Sequence, residues 1–448
     1  MVDSLREYLA FMKGRGLVLE IGEWVAREDI PELVELLSDR GRVIRFEHVE
    51  GYDCEVVANL VPSHEALRTL LGGEDAYALF LEGIKRVRKT KAVEREGLET
   101  IDMTGRDLLS VLPMLKHCEK DSAPFITTGI VSAIDPVRGV VGRGIHRLEY
   151  RGGNRLGVTL VNPPLSDILQ SYGTRGERMR LAVTLGVDPL LFLSMALKVG
   201  PDTDKLEVAG GLKGDGVKVI DLVETGVSVP AGAEFYLEGF VDCDDVRKDG
   251  PLGEISGYYM ALEGTPTLVV SRISRRSAPL YHALLPTSLE GDAYLTFVSR
   301  AHVEDAMKKL FPFIQDMAFV QKTFGASVVV SVRPVERAKI RNLLMSMLAF
   351  PMIKKVVVVD GDVDPYSLRD VEWAVVTRCV ADQDVIIIGG LQGQSIDPQA
   401  RGRGLGVAKT GIDATMQGKD MEERARVAAG NRARIEKVLR SIGLEPAP

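Results

Sequence analysis

Residues 353–364 read IKKVVVVDGDVD, and the apolar run inside this stretch decides how the last third of the chain folds. A continuous apolar run is typical of a strand that is buried on both faces of a sheet. Similar runs lie on either side, ASVVVSV at 326–332 and DVIIIGG at 384–390, and a helical stretch at 337–350 separates two of them. This alternation predicts an α/β layer with βαβ connections.

The sequence before this layer has two other textures. From about residue 124, short strand-like segments with Asp-Pro and Gly-Gly turns predict a barrel or split barrel, interrupted by a helical insert at 165–198. The first third resembles a small α/β unit that begins with a helix at 3–14. We therefore expect an α/β (α+β) fold with a strand-rich centre. A Gly-rich stretch at 389–411 is expected to be a mobile loop, and the C-terminal helix at 421–443 to dock on a partner subunit.

Composition excludes several classes of function. The chain has 448 residues, 45% of them hydrophobic, and a net charge of −7, which gives no reason to expect nucleic acid as a partner. We expect no signal peptide and no membrane span, because no apolar run has the required length. The four cysteines are scattered without a C-x-x-C pair, so a thiolate zinc site is not expected and the default compartment is the reducing cytoplasm.

Two carboxylates bracket a tight turn in DGPLGE at 249–254. Glycines and a proline allow the turn to be sharp, so Asp249 and Glu254 can reach one cleft. Neighbouring acids raise the pKa of one of them, which produces a proton donor near neutral pH. The alternative is a surface turn with two solvated acids, and the spacing by itself favours that alternative.

Three further residues have both a functional and an ordinary interpretation. Arg147, in RGIHRLEY, could hold a substrate carboxylate through two hydrogen bonds, or it could face outward and pair with Glu149. Glu207, before a Gly-Gly step, could bind a cation or be an edge-strand acid. Lys409 follows the Gly-rich GRGLG at 402–406 and could meet a phosphate, although no standard nucleotide-binding motif is present and a solvated loop lysine is the simpler interpretation.

Taken in order, these segments resemble the UbiD family of reversible decarboxylases, which use prenylated FMN. The resemblance is carried by five stretches: GRGIHR at 142–147, VPAGAEFYLEG at 229–239, DGPLGEISGYY at 249–259, IKKVVVVDGDVDPYSLRDVEWAVVTR at 353–378, and AKTGIDAT at 408–415. It implies an N-terminal α/β region over 1–115, a split β-barrel that binds prenylated FMN over 116–300, and a C-terminal α/β region with an oligomerisation helix over 301–448.

The resemblance also implies a reaction. The substrate would be an α,β-unsaturated or (hetero)aromatic carboxylic acid that forms a covalent adduct with the prenylated flavin and loses CO₂. Arg147 would orient the carboxylate, Glu254 would donate the proton, and Asp249 would tune Glu254 and hold Arg147; Asp stands here where Glu is commoner. The cofactor-binding positions implied by the family are Gly144, Ile145, His146, Arg147, Pro164, Ser166, Glu207 and Lys354.

The metal site is where this sequence departs from the family. Relatives hold a divalent metal, often manganese, against the flavin phosphate with Asn, His and Glu. Only Glu207 matches, since Gly142 stands for the Asn and Ser166 for the His. The metal could still be manganese or magnesium held by Glu207, phosphate and waters, a monovalent cation such as K⁺ could contribute, or Arg143 or Lys354 could neutralise the phosphate directly.

The partners are implied by the family resemblance, and the residues that set substrate specificity are harder to identify from the sequence. A small carboxylic acid as substrate, a flavin prenyltransferase as cofactor supplier and a homodimer or higher homo-oligomer are implied. The segment at 280–295 corresponds to one that shapes substrate choice in relatives, with a core or hinge role as the alternative; its candidate lining residues are His282, Pro286, Thr287 and Leu289. The alternative function is a non-catalytic or repurposed flavin- or phosphate-binding subunit that lacks the metal, with a flavin oxidoreductase as a weaker third interpretation.

Overall fold

The valine run at 356–359 lies in the middle strand of a five-stranded sheet. The structure is a computed structural model of the chain. It describes residues 2–442 except 74, 201, 403, 405, 418, 420, 421, 423, 426 and 429. The buried parallel strands predicted at 326–332 and 353–364 pair residue by residue, Val328 with Val356 through Val330 with Val358. Their alternate valines pack against helices on both faces, which confirms the α/β layer.

The first third mixes helices and strands as expected. Its first helix starts at a Ser4 cap, whose side chain accepts a hydrogen bond from the Glu7 amide. Short 3₁₀ helices lie at Arg27–Asp29, Ser38–Arg40 and Leu108–Ser110. The other elements are α1 (Leu5–Lys13), β1 (Val18–Val25), α2 (Ile30–Leu37), β2 (Val43–Val49), β3 (Glu55–Ala58), α3 (His64–Leu71), α4 (Ala76–Gly83), β4 (Lys91–Ala92) and β5 (Leu98–Asp102).

The middle third is rich in strands and contains the longest ones. In chain order the elements are β6 (Phe125–Ile126), β7 (Ile130–Ile134), β8 (Val141–Ile145), β9 (Leu148–Tyr150), β10 (Arg155–Val158), α5 (Leu165–Thr174), β11 (Arg180–Leu185), α6 (Pro189–Met195), α7 (Lys205–Lys213), β12 (Lys218–Asp221), β13 (Ser228–Pro230), β14 (Phe235–Gly253), β15 (Tyr259–Arg276) and β16 (Leu280–Ala283).

The last third alternates helices and strands. Its elements are α8 (Leu289–Leu310), β17 (Ile314–Phe319), β18 (Ser327–Val332), α9 (Arg337–Leu348), β19 (Lys355–Asp360), α10 (Leu368–Arg378), α11 (Ala381–Asp384), β20 (Val385–Gln392), α12 (Pro398–Arg401), β21 (Gly406–Ala414) and α13 (Arg432–Ser441).

The strands form several sheets. A nine-stranded sheet runs β6-β9-β10-β15-β14-β11-β7-β8, with β5 added on β15, and the C-terminal sheet runs β17-β18-β19-β21-β20. Smaller sheets run β1-β2-β3-β16 and β13-β12-β4. The path of the nine-stranded sheet does not close on itself among the described residues. The mixed α/β class is therefore confirmed, and the split-barrel detail stays a prediction.

Three local predictions were wrong. The segment around Glu207 is helix α7 rather than a strand, because Asp204 caps its first turn through the Leu206 amide and apolar residues repeat at helical spacing. The expected helical insert at 165–198 contains strand β11, which is buried between β7 and β14. The expected mobile loop at 389–411 forms parts of β20 and β21 with α12 between them; 403 and 405 lie outside the described residues.

The domain limits at 115 and 300 stay predictions. Strands of the first third pair with strands of the middle third, β4 with β12, β5 with β15 and β3 with β16, and α8 runs through residue 300. Within the described residues, no helix has both the length and the apolar character needed to cross a bilayer. Part of the C-terminal stretch at 421–443 lies outside the described residues. Helix α13 and its C-cap carry an exposed apolar stripe of Ile435, Val438 and Ile442.

Candidate active site

Asp249 lies near the end of β14, where the pairing with β15 is irregular. The register shifts between Arg247 and Asp249 and again between Asp249 and Leu252. Irregularities of this kind redirect side chains and are common beside functional sites. Gly250 follows with a φ of 89°, a conformation that suits glycine. The result is that the Asp249 side chain points inward and is fully buried.

The turn after Asp249 is fastened to another part of the chain. The Gly253 amide donates to Asp121 Oδ1 at 2.8 Å, and Asp121 Oδ2 accepts from the Cys118 amide at 2.7 Å. Gly253 packs so closely on this segment that an added Cβ would lie 2.5 Å from Cys118 Sγ. Glu149 Oε1 accepts from the Gly250 amide at 3.1 Å. These contacts fix the position of Glu254, the residue that follows.

Arg147 joins the two acids of the turn. Its Nε donates to Asp249 Oδ1 at 2.8 Å, and its Nη1 donates to Glu254 Oε1 at 2.7 Å. Asp249 Oδ2 accepts from the Thr159 hydroxyl at 3.5 Å. The structure therefore brings together the three residues that the sequence nominated as catalytic. Arg147 does not pair with Glu149, and the acids are not a solvated turn, so both ordinary alternatives were wrong.

Burial controls the protonation of both acids. Removal from water raises the pKa of Asp249 and the pKa of Glu254, and the positive charge of Arg147 opposes this in each case. The Glu254 side chain keeps 19% of its surface exposed, whereas Asp249 has none. Glu254 is thus the acid of the pair that a ligand could contact, whereas Asp249 is covered by its neighbours.

The predicted cofactor segment 144–146 runs along and past the end of β8. Strand β8 is the last in the path of the nine-stranded sheet, so one side of its backbone is free of strand partners among the described residues. His146 contacts the Thr159 carbonyl through Nδ1, and burial lowers the pKa of this ring to about 4. The ring is therefore neutral near pH 7, and its Nε2, which lies beside Gly144, is an acceptor.

The three positions of the family metal site do not form a metal site here. An added Cβ at Gly142 would lie 2.4 Å from Ile168 Cδ1 and 3.2 Å from Pro164 Cγ, so apolar groups cover this position. The Ser166 hydroxyl bonds the neighbouring Asp167 at 3.3 Å. Glu207 Oε1 accepts from Lys89 Nζ at 2.7 Å. No group of three or more His, Cys, Asp or Glu suited to a metal occurs in the described parts of the chain.

The other candidate phosphate ligands are committed elsewhere. Lys354 donates to Asp397 at 2.8 Å and to Gln399 at 3.0 Å. Lys409 is buried and donates to the carbonyls of Leu348 and Phe350 at the end of α9, so the prediction of a solvated loop lysine was wrong. Arg143 is buried in an ion pair with Asp204, at 2.7 and 3.0 Å.

The four residues predicted to line the substrate pocket lie in different parts of the structure. Thr287 lies beside the Cys118 thiol, which touches Gly253 next to Glu254. His282 is buried and bonds Glu290 at 2.8 Å, which is a core role. Leu289 lines a cavity of about 340 Å³ between α3, α8 and the C-terminal region. The Pro286 carbonyl packs against Gly291 at the start of α8. Of the four, Thr287 is the one linked by contacts to the acids.

The structure adds residues that the sequence analysis missed. Asp121 holds the acidic turn across 132 positions of sequence, so no local pattern could reveal it. Arg401, on α12, donates to the Tyr259 carbonyl at 3.4 Å, and its charge acts on Glu254. The C-terminal region therefore reaches the mouth of the site.

Comparison with known proteins gives this arrangement a family. Residues 85–289 match the 3-octaprenyl-4-hydroxybenzoate carboxy-lyase Rift-related domain of UbiD, and residues 294–414 match the corresponding C-terminal domain. These two matches span more than half of the chain. It belongs to the UbiD family. This UbiD-family chain is 30% identical over 420 residues to anhydromevalonate phosphate decarboxylase of Methanosarcina mazei, covering 92% of this chain and 96% of the relative.

Other members of the UbiD family show similar coverage. Phenolic acid decarboxylase of a Streptomyces species is 27% identical over 450 residues, 92% of each chain. The UbiD-class enzyme HmfF of Pelotomaculum thermopropionicum, solved with FMN, has a TM-score of 0.89 at 27% identity and covers 97% of this chain and 99% of its own. An evolved dimeric form of HmfF, solved with prFMN, has a TM-score of 0.84 at 26% identity, over 95% of this chain and 97% of its own. These homologues place the chain in a family of carboxy-lyases.

Proposed function

We propose that this protein is a reversible, non-oxidative decarboxylase that uses prenylated FMN to act on an α,β-unsaturated or (hetero)aromatic carboxylic acid. The observation that carries the proposal is the bridge that Arg147 forms between buried Asp249 and partly exposed Glu254. An arginine and two acids held in this order at a water-poor site are suited to binding a carboxylate and returning a proton.

The residues around the bridge fit a flavin. The free backbone edge beside β8 offers hydrogen-bonding groups, and the neutral His146 ring offers an acceptor. Arg147 Nη2 is buried and lies 2.5 Å from Asp249 Oδ1, without a well-aligned hydrogen bond to the described part of the chain. Because Nη2 carries two N–H groups, one acceptor leaves a donor for a bound group. The structures of HmfF with FMN and prFMN support the choice of cofactor. A split barrel around this edge is part of the proposal.

The roles of the chain's residues follow from their positions. Arg147 would orient the substrate carboxylate through its guanidinium. When bound, prenylated FMN supplies an electron sink for the charge that CO₂ leaves behind. As the C–C bond breaks, its electron pair stays on carbon and takes the Glu254 proton to form the new C–H bond. Water then reprotonates Glu254, and Asp249 keeps Arg147 in place throughout.

The names of two relatives and the charge near the mouth of the site indicate a narrower class of substrate. The relative from Methanosarcina mazei is named for a phosphorylated acid, and the Streptomyces relative for phenolic acids. Arg401 at the mouth of the site gives an anionic distal group a partner, which favours a substrate with a second negative charge. Thr287 and Cys118 would line the remaining wall.

The proposal also covers the oligomeric state of the protein and the source of its cofactor. The exposed stripe of Ile435, Val438 and Ile442 on α13 and its C-cap suits a homodimer interface, and one relative structure is dimeric. A flavin prenyltransferase would supply the cofactor, and the compartment would be the cytoplasm.

The test is co-expression with a flavin prenyltransferase, followed by mass measurement of the bound cofactor and assay of CO₂ release and H/D exchange on a panel of phosphorylated and phenolic unsaturated acids. Prenylated flavin with exchange on at least one acid supports the proposal. Bound flavin without exchange on any acid would favour the alternative, a repurposed flavin-binding subunit, which the missing metal set motivates.

A further inference from the structure

Lys205 begins helix α7 and is buried, with 9% of its surface exposed. Its Nζ donates to the Met195 carbonyl at the end of α6, at 2.7 Å. No carboxylate of the described residues forms an ion pair with it, and burial lowers the pKa of its ammonium to about 8. A buried ammonium without a negative partner is costly, so its presence calls for a reason.

Two other lysines of the described chain are buried, and each has partners that account for its burial. Lys213 lies at the other end of α7 and pairs with buried Asp188 at 2.8 Å. Lys409 donates to two carbonyls at the end of α9. Lys205 has a single carbonyl, which leaves two N–H groups for an anion that is bound rather than built in.

Lys205 lies near the free backbone edge beside β8. Asp204, the preceding residue, is paired with Arg143 on β8, so the start of α7 is fastened to this strand. The positive charge of Lys205 also contributes to the lowered pKa of His146, the last residue of the segment 144–146. Because Asp204 adjoins Lys205 and Arg143 adjoins Gly144, this ion pair brings the start of α7 to the segment 144–146 that the proposed flavin would contact.

The same region lacks what a divalent metal needs. Gly142 offers no side-chain ligand and is covered by Ile168, and the Glu207 carboxylate is neutralised by Lys89. Manganese or magnesium would find the Glu207 carboxylate already engaged, and Ser166 stands at the position where the family has its imidazole ligand. A flavin phosphate would still need a positive charge opposite it.

We propose that Lys205 binds the phosphate of the flavin directly, so that this protein holds its cofactor without a divalent metal ion. The inference rests on the proposed flavin-dependent function. A lysine ammonium is a regular phosphate ligand and acts as a point charge.

The test compares FMN with riboflavin, which lacks the phosphate. Dissociation constants are measured by flavin fluorescence on full-length protein, with EDTA and with added Mn²⁺, and the metal content of the FMN complex is measured by mass spectrometry. We expect FMN affinity to be unaffected by EDTA and no stoichiometric metal to be present. Lys205→Met should weaken FMN about tenfold or more and leave riboflavin unchanged, because a charge-assisted contact is lost. Lys205→Arg should restore part of the FMN affinity.

Lys309→Met is the matched control, since Lys309 is an exposed lysine of α8 that pairs with Asp305; both affinities should stay as in the parent protein. Melting curves establish that each variant is folded, and if Lys205→Met is not, the comparison of Lys205→Gln with Lys205→Arg replaces it. Equal losses for FMN and riboflavin, no loss for either, or a requirement for Mn²⁺ would overturn the inference while leaving the proposed function standing. Failure of the parent protein to bind FMN would overturn both.

Discussion

Arg147 and Glu254 lie 107 positions apart in the chain, yet Arg147 Nη1 and Glu254 Oε1 are 2.7 Å apart. A different structural feature positions each of these two side chains. Arg147 follows the edge strand β8, and Glu254 follows an irregular end of β14 that is fastened to Asp121. Because the guanidinium also holds Asp249, a change in any of the three residues changes the charge environment of the other two.

Glu254→Gln should remove the proton donor and keep the shape of the site. Loss of a positioned general acid costs about 10²–10⁴-fold in rate, so CO₂ release and H/D exchange should both fall by at least that lower value. The measurement is steady-state decarboxylation and substrate deuteration by the flavin-loaded protein. Glu263→Gln is the control, because Glu263 lies on the neighbouring strand β15 with its side chain 94% exposed. Equal activity of the Glu254 and Glu263 variants would contradict the role given to Glu254.

Arg147→Met should destabilise the fold as well as the activity. It leaves the fully buried Asp249 without its cation, which costs about 3 kcal/mol in the free energy of unfolding. A second substitution, Asp249→Asn, should recover part of the loss, because a neutral amide needs no counter-charge and costs less to bury than an unpaired carboxylate. Urea unfolding of the single and double variants measures both values. Simple additivity of the two substitutions would show that the pair is not coupled.

Gly253→Ala should disturb the turn that presents Glu254. The added methyl would meet Cys118 Sγ at 2.5 Å, and overpacking of this kind costs about 1–3 kcal/mol. Cys118→Ala in the same chain removes the sulfur and should restore part of both the stability and the rate. Gly173→Ala is the control, since nothing lies within 4 Å of its added Cβ. No recovery in the double variant would mean that the turn is disturbed by something other than the sulfur.

Asp292 should make stability depend on pH. Burial raises the pKa of this carboxyl to about 6, from an ordinary value of 3.8, while the Phe324 amide donates to it at 3.1 Å. Because the folded pKa is raised, the contribution of Asp292 is fully present below the ordinary value and is lost as the pH rises through about 6. We expect a decline on the order of 3 kcal/mol over this window, which Asp292→Asn should remove.

The measurement is urea unfolding of both proteins from pH about 4 to pH about 7. Asp305→Asn, at an exposed position of the same helix α8, should keep the slope of the parent protein. An unchanged slope in Asp292→Asn would show that other groups cause the dependence.

The sequence by itself determined the elements whose local pattern is unambiguous. The valines at 328–330 and 356–358 predicted buried parallel strands, because an apolar run without polar alternation cannot have a solvated face. The resemblance to the UbiD family also nominated Arg147, Asp249 and Glu254, whereas the spacing by itself favoured a solvated turn. Local patterns were less reliable at Glu207, where helix and strand signals compete over a short segment and the Asp204 cap decides for a helix.

Only the tertiary structure decided which charges are free. Arg143, Lys354 and Lys409 were all plausible phosphate ligands in the sequence, and each is held by partners distant in the chain. Lys205 was not singled out, because burial without a carboxylate is a property of the packed interior and leaves no trace in composition or spacing. The same holds for Asp121, whose hold on Gly253 depends on two segments meeting in space. Long-range contacts fix charge environments, and sequence order does not contain them.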